Sequence, residues 1–130
     1  MEEIKFRAWE KELKEMITVS TIDFIKGMIN TDSAWRYFHE VELMQFTGLK
    51  DKNGVEIYEG DILRLLNSDV LCEVVYETPS FCRKWLNSKV SNVRGVEMES
   101  MAHNTHIAYE VIGNIYENKD LLEEIKNENK

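Results

Sequence analysis

The cysteine and histidine side chains are the first residues of this chain to consider as metal ligands. They occur in the order Cys72, Cys82, His103 and His106, with nine residues between the two cysteines. Zinc sites usually place paired cysteines about two to four residues apart, so that one turn presents both thiolates. On a strand, His103 and His106 would also project to opposite faces. The spacing therefore favours solvated loop histidines over a structural zinc site.

Three carboxylates, those of Asp61, Glu73 and Glu77, are the candidates for magnesium ligands in a nuclease. Carboxylate oxygens on neighbouring strands are ligands that this ion accepts. Asp61, however, directly follows Gly60, and an Asp in such a turn accepts hydrogen bonds from backbone N–H groups. We therefore favour a turn residue and a solvated acidic face over a catalytic metal site.

A nucleophile would need a base within reach, and the sequence identifies none. Cys82 precedes Arg83 and Lys84, and neighbouring cations favour the thiolate. No Gly-x-Ser-x-Gly elbow, P-loop or dinucleotide-binding motif occurs, because the six glycines are scattered along the chain. We expect no catalytic residue, no metal and no cofactor, and hence a protein that is not an enzyme.

Residues 78–107 carry a small excess of positive charge within an acidic chain. Aromatic rings interleave with cations there, a combination that can stack bases and hold phosphates. The candidate nucleic-acid site consists of Arg83, Lys84, Trp85, Lys89 and Arg94. Against it, four cations are fewer than the roughly six to ten phosphate contacts of a strong site. Phe81 and Trp85 are also large enough simply to be buried.

The composition limits the protein classes further. The chain has 130 residues, with 24 acidic and 16 basic side chains and a net charge of −8, which disfavours broad binding to nucleic acid. A chain of this size can bury a hydrophobic core without disulfides, so we predict one domain over residues 1–130.

No apolar run is long enough to span a membrane, and the start, Met1-Glu2-Glu3, is acidic where a secretory signal is basic. We expect a cytoplasmic protein with free cysteines and no membrane association.

Short stretches of alternating polarity predict a mainly β (α+β) protein with a small barrel-like or packed-sheet core. Residues 4–9 and 70–77 alternate as strands do, and the aromatic run at 35–38 is consistent with a further strand pair. Residues 10–19 fit a helix by the spacing of Leu13, Met16 and Ile17 or a returning hairpin strand, and we favour the hairpin. Asn53-Gly54 predicts a hairpin with a type I′ turn, which needs positive φ at both central residues.

The last part of the chain predicts a core strand followed by a helix. Residues 107–116 are rich in β-branched and aromatic side chains, broken by Gly113-Asn114 as a bulge or a turn. Asn118 precedes Asp120, Leu121 and Leu122, which is typical of an N-cap that begins a short C-terminal helix. Residues 78–106 leave loops and short strands equally open.

Three blocks of this sequence resemble a known family. They are IKFRAW at 4–9, LMQFTGLKDKNGVEIYEGDIL at 43–63 and YEVIGNIYENKDLLEE at 109–124. Together they are similar to the YopX family, small proteins carried by bacteriophages and prophages. The resemblance implies a phage origin, a β-barrel-like core with some helix, and a homo-oligomer. It implies no catalytic residue.

These observations leave two main hypotheses of different class, and a third, an enzyme of the nuclease or hydrolase type, is kept only because Asp61, Glu73 and Glu77 could converge. The first is a non-enzymatic phage or prophage accessory protein that binds a host or phage protein, or a second copy of itself. The alternative is a nucleic-acid-associated protein that uses the basic and aromatic residues named above.

Overall fold

The computed structural model describes residues 3–32, 34–78, 80–86, 98–100 and 108–128. The chain divides into two compact units, Met1–Phe46 and Thr47–Lys130. One long strand, β6, begins in the first unit and ends in the second. The single domain over residues 1–130 stays a prediction.

The first unit contains two small antiparallel sheets. Its strands are β1 (Phe6–Glu10), β2 (Glu15–Thr18), β3 (Thr21–Asp23), β4 (Met28–Asn30), β5 (Trp35–Tyr37) and the beginning of β6 (Val41–Lys50), with a 3₁₀ turn at Phe38–Glu40. One sheet has the order β2-β1-β6 and the other β3-β4-β5. The predicted hairpin over residues 10–19 is therefore confirmed as β1 and β2.

The core of the first unit forms where apolar residues of both sheets meet. Ala8 of β1, Ile29 of β4 and Val41 of β6 are buried together. Because side chains alternate along a strand, β4 can bury Ile29 while its neighbours face the other way. The packing of Ile29 therefore decides which face of the β3-β4-β5 sheet stays uncovered.

The second unit contains a five-stranded antiparallel sheet. The elements of this unit after the end of β6 are β7 (Glu56–Tyr58), β8 (Asp61–Leu65), β9 (Leu71–Glu77), β10 (Ser80–Trp85), β11 (Met98–Ser100), β12 (Tyr109–Asn114) and a helix, α1 (Lys119–Glu128). The strand order is β11-β10-β9-β8-β12, and the sheet is a curled half-barrel. Short strands are thus present at both ends of the segment that the sequence left open.

One face of this sheet holds the second core. Ile57, Leu63, Cys72, Val74 and Tyr109 are buried together. The alternation of β9 predicted Cys72 as a small core residue, and its complete burial confirms this. Complete burial of a large apolar side chain such as Ile57 or Leu63 contributes about 1.5–3 kcal/mol to the stability of the folded state.

The hairpin predicted at Asn53-Gly54 is present between β6 and β7, but the type I′ turn was wrong. Gly54 has φ of +81°, whereas Asn53 is not among the residues with positive φ. The N–H of Gly54 donates to the carbonyl of Asp51 at 3.0 Å. This is a four-residue turn with glycine last, for which Asp is a favoured first residue and only the glycine needs the left-handed region.

The carboxylate of Asp51 holds this turn and also fixes it to another strand. It is buried, and its Oδ1 accepts hydrogen bonds from the N–H groups of Asn53 at 2.8 Å and Val55 at 2.9 Å. Its Oδ2 accepts from the N–H of Val111 in β12 at 2.9 Å. One side chain therefore joins positions sixty residues apart.

A second side-chain network ends β12 and begins the helix. The pairing of β12 with β8 shifts register between Val111 and Gly113, so the predicted interruption is a bulge. A Cβ on Gly113 would lie 2.5 Å from Oδ1 of Asn118, and that oxygen accepts from the N–H of Asn114 at 3.0 Å. Helix α1 begins directly after Asn118, as the sequence predicted.

The fold is mainly β with one short C-terminal helix, which confirms the predicted class. Among the described residues, no helix has both the length and the apolar character that crossing a membrane requires.

We expect Asp51→Ala to lower the free energy of unfolding by about 2–4 kcal/mol, because it removes the acceptor from three backbone N–H groups. Urea denaturation monitored by circular dichroism measures this. The matched control is Asp69→Ala, since Asp69 is exposed and its loss should change stability by no more than about 0.5 kcal/mol. Equal effects of the two substitutions would show that Asp51 does not clamp the turn.

Candidate interaction surface

The β3-β4-β5 sheet has one buried face and one open face. Its register places Ile22 opposite Ile29, and Ile29 opposite Arg36. Paired residues of an antiparallel sheet project to the same side. Because Ile29 is buried in the core, the row Ile22, Ile29 and Arg36 belongs to the buried face. The alternate rows, which include Met28 opposite Tyr37 and Asn30 opposite Trp35, project to the other side.

Large apolar side chains are exposed on that open face and on the loop beside it. The exposed fractions are 47% for Trp35, 50% for Tyr37, 78% for Phe24 and 98% for Ile25. We use the term aromatic face for these residues together with half-buried Met28: Met28, Trp35 and Tyr37 belong to the open side of the sheet, and Phe24 and Ile25 lie in the loop between β3 and β4. Scattered exposed apolar residues are ordinary, whereas a group of them on one small sheet marks a site of interaction.

Local hydrogen bonds hold the loop that carries Phe24 and Ile25. The Oδ1 of Asp23 accepts from the N–H groups of Ile25 and Lys26, each at 3.0 Å. The ring of Phe24 meets that of Phe38 edge to face, with centroids 6.2 Å apart. The loop is thereby fixed at the end of the sheet where Tyr37 lies.

The ring of Tyr37 is also supported. It stacks on the imidazole of His39, with centroids 5.5 Å apart and planes 14° apart. A side chain held in one orientation loses less conformational entropy when it is covered by a partner. The Tyr37 ring and the loop that carries Phe24 are therefore held by contacts within the protein itself.

The sequence predicted a strand at these aromatic residues but no functional site. The signal that could have found it is the spacing of Trp35 and Tyr37, two positions apart with a charged residue between them. That spacing puts both rings on one side of a strand. Which side is solvent-exposed, however, depends on the burial of Ile29.

Strand β10 places the predicted nucleic-acid residues on different faces. Arg83 is completely buried, and its guanidinium carbon lies 4.3 Å from the ring centroid of Tyr109, a cation–π contact. Trp85 shares this side of the strand and packs against the core. Lys84 is exposed and lies on the opposite side. Arg83 and Lys84 are adjacent in sequence but do not share a surface.

The other two members of that predicted site, Lys89 and Arg94, lie outside the described residues. So do His103 and His106. The nucleic-acid site stays a prediction, and among described residues its exposed cation is Lys84.

The three carboxylates considered as metal ligands also have separate surroundings. Asp61 is buried, and its Oδ2 accepts from the N–H of Tyr58 at 2.8 Å, which confirms its role in the turn. Glu73 lies opposite Lys84 on neighbouring strands, and Glu77 is exposed. Within the described ranges, no three acidic, histidine or cysteine side chains come together as a metal site would require.

Cys82, the candidate nucleophile, is half-buried on β10 and lies on the same side as Lys84. Its Sγ lies 3.8 Å from Oγ of Ser80 and donates to the backbone carbonyl of Ser80 at 3.7 Å. Neither contact provides the base that would activate a thiol.

The fold and this surface define a small, mainly β protein with exposed aromatic side chains on one sheet. The chain belongs to the YopX family, since the model of that family, described as YopX protein, matches residues 5–123. This confirms the resemblance found in the sequence, and the match includes residues of both compact units.

Solved structures show the same fold. The chain is 30% identical to protein EF1440 from Enterococcus faecalis, with a TM-score of 0.66 over 94% of this chain and 99% of that one. It is 21% identical to protein yopX from Bacillus subtilis, with a TM-score of 0.56 over 91% and 95% of the two chains. No curated protein matches the chain.

Glu73 is a half-buried carboxyl whose protonation should make stability depend on pH. Burial raises its pKa, and the positive charge of Lys84 lowers the pKa in part. Because the folded state then holds this proton more tightly than the unfolded state, the stabilising contribution is complete below about pH 4. It is lost as pH rises through the raised pKa of the folded state.

We therefore expect Glu73→Gln, which cannot lose that proton, to become more stable relative to the unsubstituted protein between about pH 4 and pH 7. Urea denaturation at both pH values measures the difference. Glu77→Gln on the same strand is the control, because Glu77 is exposed. A stability difference for Glu73→Gln that stays constant across this range would contradict the prediction.

Proposed function

We propose that this protein is a non-enzymatic binding module and that its aromatic face contacts a partner protein. The observation that carries the proposal is the grouping of exposed Phe24, Ile25, Trp35 and Tyr37 on one small sheet and its adjoining loop. Tryptophan and tyrosine are enriched among the residues that dominate interface energies. Aromatic rings can bury about 150–250 Å² each, so this face could form the centre of an interface of about 800 Å² per partner.

The cellular setting of the proposal comes from the family. We propose a prophage-encoded accessory protein of the bacterial cytoplasm whose partner is a host or phage protein. Membership of the YopX family and the bacterial sources of the two solved relatives support this setting. A second copy of the chain is the other candidate occupant of the same face.

The nucleic-acid alternative has weaker support from the geometry. Complete burial of Arg83 removes one cation from the surface, and Lys84 lies opposite an acidic residue, Glu73. A net charge of −8 also opposes association with phosphates. The protein-binding hypothesis is therefore the one that the described residues favour.

Affinity capture with matched variants tests the proposal. Tagged protein is incubated with nuclease-treated lysate of the phage-bearing host, and bound proteins are quantified by mass spectrometry. Three baits are compared: the unsubstituted protein, the double variant Trp35→Ser/Tyr37→Ser, and Val55→Ser, whose side chain is 47% exposed in the second unit. Thermal unfolding confirms that all three are folded.

The expected result is a partner recovered in near-stoichiometric amount with the unsubstituted and Val55→Ser baits and reduced at least about tenfold with the double variant, as loss of about 1.4 kcal/mol would produce. Equal recovery by all three baits would place the interaction elsewhere. Recovery of bait alone, with a monomeric mass in light scattering, would refute the binding-module proposal.

A further inference from the structure

Strand β5, which carries Trp35 and Tyr37, is an edge strand of its sheet. The backbone groups on its outer edge determine whether a strand of a partner could pair with it. The N–H of Phe38 donates to the carbonyl of Gly27 at 2.9 Å, and the N–H of Thr31 donates to that of Ala34 at 3.0 Å. Hydrogen-bonded and non-hydrogen-bonded pairs alternate along an antiparallel ladder. Trp35 and Tyr37 therefore belong to non-hydrogen-bonded pairs, with backbone groups directed away from β4.

Side chains already occupy two of those outward groups. The Oε1 of Glu40 accepts from the N–H of Tyr37 at 2.8 Å. The Nη1 of Arg36 donates to the carbonyl of Trp35 at 2.9 Å. Proteins block exposed strand edges in this way to prevent pairing with another chain. An extended peptide that added to β5 would have to displace both contacts over a strand of only three residues.

A partner segment that contacts this face without pairing with β5 has to satisfy its own backbone groups, as an α-helix does. The dimensions agree, because side chains two residues apart on a strand are about 6.7 Å apart. This is close to the 5.4 Å pitch of a helix, so Trp35 and Tyr37 can lie between successive turns. Phe24 and Ile25 are further exposed apolar residues, in the loop between β3 and β4.

The charge of the protein indicates the polar side of such a helix. The chain has a net charge of −8, and residues 21–40, which carry the aromatic face, contain Asp23, Asp32 and Glu40 against Lys26 and Arg36. Lys11, whose backbone N–H donates to the carbonyl of Glu40, is paired with Glu42 at 3.3 Å. Complementary charge accelerates association and excludes acidic competitors. We infer that the aromatic face binds an amphipathic α-helix of a partner protein, with an apolar stripe flanked by lysine and arginine.

This inference rests on the proposed function, and peptide selection tests it separately. Two displayed libraries serve as probes against the full chain. One holds 18-residue peptides with apolar residues at i, i+3, i+4 and i+7 and a variable mixture of acidic and basic residues elsewhere. The other holds ten-residue peptides of alternating apolar and polar residues, which favour an extended strand.

Selected peptides are synthesised, and their binding is measured by isothermal titration calorimetry. The variants are Trp35→Ser/Tyr37→Ser, Val55→Ser as the control, and Glu40→Ala, which frees the N–H of Tyr37. We expect cationic helical peptides to be selected, to lose at least about tenfold in affinity with the double variant, and to retain affinity within about twofold with Val55→Ser. Glu40→Ala removes one acidic side chain beside the face, so it should not raise the affinity of a cationic helix.

Selection of extended peptides whose affinity rises with Glu40→Ala would overturn the helix and establish strand addition instead. Selection of acidic helices, of helices insensitive to the double variant, or of no face-dependent peptide would also overturn the inference. If lysate capture still yields a face-dependent partner in that case, the binding module stands and only the class of its occupant is wrong. If both experiments fail, the proposed function fails with it.

Discussion

Backbone N–H groups at tight turns need acceptors, and in this protein side-chain oxygens provide them. Asp51 accepts two such hydrogen bonds and a third from Val111 of β12, and Glu10 accepts from the N–H groups of Glu12 and Leu13. Asp23 accepts two more in an exposed loop. An unsatisfied buried donor costs about 1–3 kcal/mol, so the turns held by Asp51 and Glu10 depend on these partly buried contacts. Part of the acidic composition thus serves the fold, and net charge alone is an incomplete guide to binding.

Alternation along the strands then determines which side chains can act on a partner. In β10, consecutive residues Arg83 and Lys84 are separated by the sheet, so a basic run in the sequence is not a basic surface. In β5, Trp35 and Tyr37 are separated in sequence but share the open side. The alternation of side chains along a strand therefore separates the residues of the predicted nucleic-acid site. It also brings Trp35 and Tyr37 together in a site that the sequence did not predict.

The sequence predicts local elements better than it predicts burial. Alternating polarity located β1 and β9, and Asn118 located the start of the helix, because these signals act between near neighbours in the chain. Asn53-Gly54 located a hairpin but not its turn type, since Asp51 offered acceptors that favour another geometry. Burial of Arg83 could not be predicted, because it depends on Tyr109, which is distant in sequence. Exposure of the aromatic face likewise depends on the burial of Ile29.

The side chain of Glu40 helps to determine which groups of β5 a partner can contact. By accepting the N–H of Tyr37, its carboxylate satisfies a group at the start of the 3₁₀ turn and blocks a group at the strand edge. Tyr37 is at the same time oriented by stacking on His39. Its backbone is thus occupied while its ring stays exposed. A strand in this condition offers a partner side-chain contact rather than backbone pairing, and its order before binding reduces the entropy lost on association.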